Sequence, residues 1–399
     1  MASERCALGD PHNFGRRVAR RGGWLDKPRS LVWERLLLSV TSPLRRALAV
    51  AARDGGLGRD AFEFLPRLRF RSLRGVRGGQ VSEVALRPLE RLDHAGRLEL
   101  AAATGRFVAL AAWLGLADLH WENLALGRDS AGRLVLGPLD VELILDDLEL
   151  PTDTKLVPDA EEDVAFECRH AAGLRRVLPY LGKPLDPIAI ATLVGGYRRA
   201  LDALETHATA IATAIAAEPE VAGAPIRVCL RGTADYVRAR SRPVWPPLLD
   251  AEAEQLARGD IPYFFRRLGK PGLRYFASED LTTERTVPSR GDVPKLAPLL
   301  SLARGLRSRR RQTLRDEGAL ALVGALDHTG LDGAYEAAGV RLEVDPRTIV
   351  LSFEGGAELI APRDLRAYVE SLYLTCRCGE VRTVLATMGR CDARDASSR

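Results

Sequence analysis

The chain has 399 residues, 46% hydrophobic and 28% charged, and Lys+Arg 58 against Asp+Glu 53 leaves a net charge of +5. That length supports two or three domains or one large enzyme lobe pair with a real core, and so mild a surplus does not point to nucleic acid. The longest apolar runs, such as 107–116, fall short of the roughly 20 residues a membrane span needs, and residues 1–10 lack a signal-peptide pattern. A cytoplasmic protein with no membrane span and no nucleic-acid partner is expected. Six cysteines, of which only Cys376 and Cys378 are close together, make no disulfide framework and read as reduced, mostly buried thiols. Only five of the 58 basic residues are lysines, at 27, 155, 183, 270 and 295. A lysine in this chain is a rare choice, and arginine cannot replace it where a compact point charge must reach a phosphate.

Along the chain, turn signals at Gly9-Asp10 and Gly22-Gly23 predict a hairpin ending near Lys27. Pro28 and Ser30 start a helix with Leu31, Trp33, Leu36, Leu37 and Val40 on one face, and Ser42-Pro43 starts a second ending at Gly55-Gly56. Residues 62–70 alternate like a strand, and the Arg/Gly-rich stretch 71–79 reads as a solvated surface loop. Residues 97–116 predict a buried helix, followed at once by the polar loop ADLHWENLAL. A strand over 133–136 is broken by Gly137-Pro138 and continued by LDVELIL, and the segment 140–163 sets ten carboxylates against Lys155. A long Ala-rich helix over 186–218, interrupted at Gly195-Gly196, and a buried strand over 226–231 follow. Beyond residue 290 the pattern gives a basic helix over 304–315, strands near Val340 and Ile349, a helix from Pro362 and a disordered tail after Cys391.

The chemistry gathers around DLHWEN. Asp118 precedes Asn123 by five, the order that kinase catalytic loops use, and Asp140 and Glu142 stand a strand and a turn later, where alternation puts both carboxylates on one side. Phosphoryl transfer needs one carboxylate to orient the attacking hydroxyl, oxygen ligands for Mg²⁺, and a cation on the nucleotide phosphates. Lys27, the one lysine ahead of Lys155, supplies that cation. A lone DxxxxN is common by chance; DxHxxN followed by an apolar strand, DxE and an upstream strand lysine is much rarer. Arg227, Arg231 and Thr233 fall on one face of a strand at spacings of four and six, where arginines would either clamp a phosphate or pair with a carboxylate of the acidic segment. The histidines are too scattered for a transition-metal cluster, and the Cys376/Cys378 pair has no further ligands at workable spacing, so no zinc is expected.

The blocks GDPHNFGRRV, DKPRSLVWERLL, ADLHWENLALG, GPLDVEL, RVCLRGTADYV and LARGDIPYF resemble, in this order, the signature blocks of the dehydratase domain of class II (LanM-type) lanthipeptide synthetases. They cover residue 9 to about 265, some two thirds of the chain. The resemblance implies an α+β, kinase-like two-lobe core with a helix-rich large lobe and a small C-terminal α/β extension. The corresponding divisions are a partial small lobe over 1–90, a large catalytic lobe over 91–290 and an extension over 291–399. It implies an ATP- and Mg²⁺-dependent enzyme that phosphorylates Ser or Thr of a ribosomal precursor peptide and eliminates the phosphate to leave dehydroamino acids. Lys27, Asp118, His120, Asn123, Asp140 and Glu142 match the family's phosphorylation residues. Of these, Lys27, Asn123 and Asp140 would contact nucleotide, and Asn123, Asp140 and Glu142 would face metal. Asp10, His12, Arg227 and Thr233 match positions associated with elimination. The family's long region ahead of GDxHN and its zinc cyclase are not evident, so a separate cyclase, or a chain supplying the missing region, is an expected partner. Two alternatives remain open: a kinase-like phosphotransferase acting on a small molecule or peptide without elimination, and an inactive truncated peptide-binding homologue.

Overall fold

A computed structural model describes residues 6–146, 148, 150–157, 172–244, 247–288, 313–326, 331–354 and 358–362. Helices and antiparallel sheets are mixed along the chain, an α+β arrangement. Three strands open it, β1 (Cys6–His12), β2 (Arg16–Arg21) and β3 (Trp24–Lys27): the turn expected at Gly22-Gly23 joins β2 to β3, whereas Gly9-Asp10, also expected to turn, lies within β1, and the chain reverses at 13–15 instead. With β4 (Phe70–Arg71) and β5 (Gly79–Ser82) they form a five-stranded sheet in the order β1-β2-β3-β5-β4. Helices α1 (Val32–Leu38) and α2 (Pro43–Asp54) follow β3. The Ser42 hydroxyl accepts from the amides of Leu44 and Arg45, and Pro43 fills the first helical position, where no amide hydrogen is needed. The expected strand over 62–70 does not form. Most of it is a chain of turns that buries Phe62, Phe64 and Leu65 in the core, and only Phe70 joins a sheet. Alternating burial reflects side chains dropping from turns here, which periodicity alone cannot tell from a strand.

Helix α3 (His94–Leu114) is capped by Asp93 and ends on Gly115 at φ 63°, the left-handed position that favours glycine. It is apolar around its circumference because α4 (Pro187–Thr206) covers one side and the β6 (Leu124–Arg128)/β7 (Leu134–Pro138) hairpin lies close to another. A Cβ on Gly105 would sit 1.9 Å from the Leu193 carbonyl oxygen, and one on Gly196 2.7 Å from that of Ala102. The two backbones therefore touch. This corrects the expected break at Gly195-Gly196: α4 runs through both glycines, and the chain bends only at His207, before α5 (Ala208–Ala216). Those glycines serve close packing, which outweighs their weak helix preference.

A four-stranded sheet, β11-β10-β9-β8, is built from β8 (Ile226–Val228), β9 (Phe264–Arg267), β10 (Lys270–Phe276) and β11 (Glu284–Thr286). Between β8 and β9 lie α6 (Thr233–Ala239) and α7 (Asp250–Ala257). The strand expected over 226–231 thus ends at Val228, so Thr233 opens a helix instead of sharing a strand face with Arg227. Farther on, Thr313–Glu317 is a π-helical turn leading into α8 (Gly318–Gly324). The rest of the expected basic helix lies outside the described residues. A meander β12 (Gly333–Ala337), β13 (Val340–Val344), β14 (Thr348–Phe353), β15 (Glu358–Pro362) gives four strands where two were expected. Val340, Leu342, Ile349 and Leu351 from it join one apolar cluster with α3 and α4, so this extension shares the main core. The helix expected from Pro362 lies outside the described residues, as do Cys168, Cys376, Cys378 and Cys391. Cys229, expected with the others to be buried, is exposed. Among the described residues no helix is long and apolar enough to cross a membrane.

Candidate active site

Two motif blocks about 250 residues apart are stapled together first. The β1–β2 turn carries Asn13 and Phe14 at positive φ, and the amides of Phe14 and Gly15 donate to the fully buried Asp260 carboxylate at 2.8 and 2.7 Å. Ile261 returns the contact: its amide donates to the Pro11 carbonyl, and its carbonyl accepts from His12 Nδ1 at 2.8 Å. Two charge-assisted bonds from a turn to one buried carboxylate make a strong clamp, worth about 1.5–3 kcal/mol each. His12 is thereby fixed as the tautomer with its proton on Nδ1, leaving Nε2 as the basic nitrogen. Burial, reinforced by the Arg227 charge, pulls the His12 pKa below its ordinary value and favours that neutral form.

The staple forms one wall of a cleft of about 800 Å³. Of the ten residues expected at the site, nine line it: Asp10, His12, Asp118, His120, Asn123, Asp140, Glu142, Arg227 and Thr233. Lys27 does not. It lies behind the cleft, 4% exposed, with Nζ 2.5 Å from Glu34 Oε1, 3.1 Å from the Leu139 carbonyl and 3.8 Å from Asp140 Oδ2. In this structure Lys27 braces Asp140 from the side away from the cleft.

The DLHWEN loop leaves α3 through Gly115 and turns at Asp118, whose φ of 62° is unusual for a residue with a side chain. Asn123 Nδ2 donates to the Asp118 carbonyl at 3.0 Å and to its carboxylate at 3.4 Å, so the two motif residues are locked to each other with the amide oxygen left over. Leu139 N donates to the Asn123 carbonyl, which sets Asp140 beside Asn123. Neither Asp140 nor Glu142 lies on a strand, since β7 ends at Pro138; they share the cleft through irregular backbone and not through strand alternation. Burial raises the Asp118 pKa, although Lys155 at 3.8 Å and His120 pull the other way. Burial also works to raise Asp140, but Arg29 and Lys27 outweigh it and hold that carboxylate below its ordinary value. Two carboxylates in one cleft are thus pushed apart, one toward proton acceptance and one toward permanent charge.

Arg29 was missed in the sequence, although it stands in the DKPRSL block two residues after Lys27. Buried itself, it binds Asp140 and Glu34 and puts Nε 3.2 Å from Glu142 Oε2. Glu142 in turn is ion-paired with Arg227, so a continuous chain of charges, Asp140–Arg29–Glu142–Arg227, joins the two expected half-sites. The Thr233 hydroxyl donates to the Asp10 carboxylate at 3.3 Å. Arg231 also lines the cleft, with its guanidinium tied to Glu252 on α7. Asp260, Lys155 and Tyr263 were also missed, though Asp260 and Tyr263 lie within the LARGDIPYF block.

Among the described residues no group of three or more His, Cys, Asp or Glu side chains is arranged to hold a metal. The oxygen donors of Asn123 and Asp140 nevertheless suit Mg²⁺, which is commonly held by one or two carboxylates completed by substrate phosphates. Glu142 fits less well, because both its oxygens already face arginines. No family model and no curated protein matches the chain.

Proposed function

We propose that this chain is a kinase-like peptide dehydratase of the lanthipeptide type: it transfers phosphate from ATP to Ser or Thr of a precursor peptide and then eliminates it. The observation that carries the reading is the convergence of nine of the ten residues in one cleft, from motifs as far apart as Asp10 and Thr233. An antiparallel sheet whose strand lysine pairs with a glutamate on the following helix, Lys27 with Glu34, is also the arrangement by which kinases set their phosphate side, and it supports a kinase-like two-lobe core. In transfer, Asp118 orients the substrate hydroxyl and accepts its proton, with a pKa raised toward that task. Asn123 and Asp140 would hold Mg²⁺, which when bound neutralises charge on the nucleotide phosphates.

In elimination, His12 Nε2 takes the α-proton of the phosphorylated residue. The Cα–H electrons form the Cα=Cβ bond, the Cβ–O bond breaks, and its electron pair leaves with the phosphate. Arg227 and Thr233 stabilise the departing anion. A precursor peptide incubated with the chain, ATP and Mg²⁺ should lose one water mass per modified residue. A stable phosphate ester from the wild type would favour a phosphotransferase instead, and an unmodified peptide with no ATP binding would favour a non-catalytic homologue.

A further inference from the structure

Tyr263 lines the cleft, and neither half-reaction uses it. It is 3% exposed, yet among the described residues its hydroxyl takes no protein partner. The hydroxyl oxygen is not itself among the fully buried unpaired atoms, so it opens to the cleft, where an anion can reach it. The ring is held on three sides. Its backbone amide donates to the buried Gln255 side chain at 2.8 Å, His12 meets it edge-on at 5.9 Å between centroids, and Phe265 tilts against it at 6.3 Å. Arg227 Cζ lies 5.3 Å from the ring centroid. The charges acting on the phenol are Glu142, Arg227, Arg29 and Asp140, the same chain that joins the two half-sites. Burial, with Glu142 beside it, raises the phenol's pKa, so it stays a neutral donor.

Resting on the reading above, we propose that Tyr263 is a further catalytic residue whose hydroxyl donates a hydrogen bond to the phosphate group of the phosphorylated substrate. It would hold that group at the seam between transfer and elimination. A donor whose ring is fixed by packing, and whose hydroxyl opens to the cleft with no acceptor among the described residues, is preorganised for an anion, and Arg227, 5.3 Å from its ring centroid, supplies the charge. When phosphate takes Arg227, Glu142 keeps Arg29, so the anion can enter without leaving a carboxylate unpaired.

The test uses the full chain and inorganic phosphate, titrated calorimetrically against wild type and Tyr263→Phe. The variant removes the hydroxyl and keeps the ring that His12 and Phe265 pack against. Phosphate affinity should fall roughly tenfold to a hundredfold, the worth of one hydrogen bond to a charged group. The melting temperature without phosphate should be unchanged or higher, because no protein bond is lost. Equal phosphate affinity in the two proteins overturns the proposal, as does a wild type that binds no phosphate. So does a lower melting temperature of the free variant, which would show the hydroxyl to be structural. Failure of the dehydratase reading is separately visible: wild type would bind phosphate, and Tyr263→Phe would weaken it, while no peptide is dehydrated.

Discussion

Arg227 and Thr233 come from the same motif and would serve the same step, yet their partners differ, and so should their variants. Among the described residues the Thr233 side chain hydrogen-bonds only Asp10, at 3.3 Å. Thr233→Ala should leave transfer intact while slowing phosphate loss, so phosphopeptide accumulates; losing one stabilising donor costs roughly a hundredfold to a thousandfold in rate. Arg227 also holds Glu142, and both side chains are at least 85% buried. Arg227→Ala removes one of two cations on that carboxylate, leaving Arg29 Nε at 3.2 Å. Deleting one partner of a charge-assisted bond costs about 1.5–3 kcal/mol, and if Glu142 and Arg29 shift with it, Asp140 shifts too. Transfer in Arg227→Ala should therefore also fall, by roughly tenfold to a hundredfold. Time-resolved mass spectrometry of one precursor peptide reads both steps, phosphate gained and phosphate lost. Wild-type transfer rates in Arg227→Ala would refute the charge chain as a functional link. Loss of transfer in Thr233→Ala would refute the separation of the half-sites.

Asp118 holds its proton more tightly in the folded protein than in the unfolded chain. Its charged form therefore subtracts stability as pH rises above the unfolded value near ~3.9. Asp118→Asn should abolish transfer yet raise the melting temperature at neutral pH; a lower melting temperature would refute the raised pKa. Lys27→Arg forces a planar fork into the site between Glu34 and the Leu139 carbonyl, where overpacking costs roughly 1–3 kcal/mol. Its denaturation midpoint should drop and transfer should fall with it; a variant as stable and active as wild type would show the site tolerates a fork. Gly105→Ala sets a methyl against the Leu193 carbonyl at 1.9 Å, a clash with backbone that only separation of α3 from α4 relieves. Its destabilisation should reach the top of that same range, checked by chemical denaturation. A change within ~0.5 kcal/mol would mean that the helices are not in contact there.

The sequence by itself determined the local features whose causes are local. The turn between β2 and β3 follows from Gly22-Gly23, α2 from Ser42-Pro43, and α3 from an apolar run closed by Gly115. The residues of the site were legible for a related reason: Asp118 and Asn123, or Asp140 and Glu142, stand close enough in sequence for their spacing to carry meaning. Only the tertiary structure decided what these groups touch. The role of Gly195-Gly196 depends on Ala102 and Ala338, and so reads as a break to any argument confined to one helix. Arg29 looks like any of the chain's many arginines until it is found between Asp140, Glu34 and Glu142. Lys27 was legible as a rare lysine, but whether it meets a phosphate or braces a carboxylate depends on where β3 ends beneath residue 140. Charge pairing acts over a few ångströms of space regardless of distance along the chain, so sequence spacing can nominate such groups but cannot choose their partners.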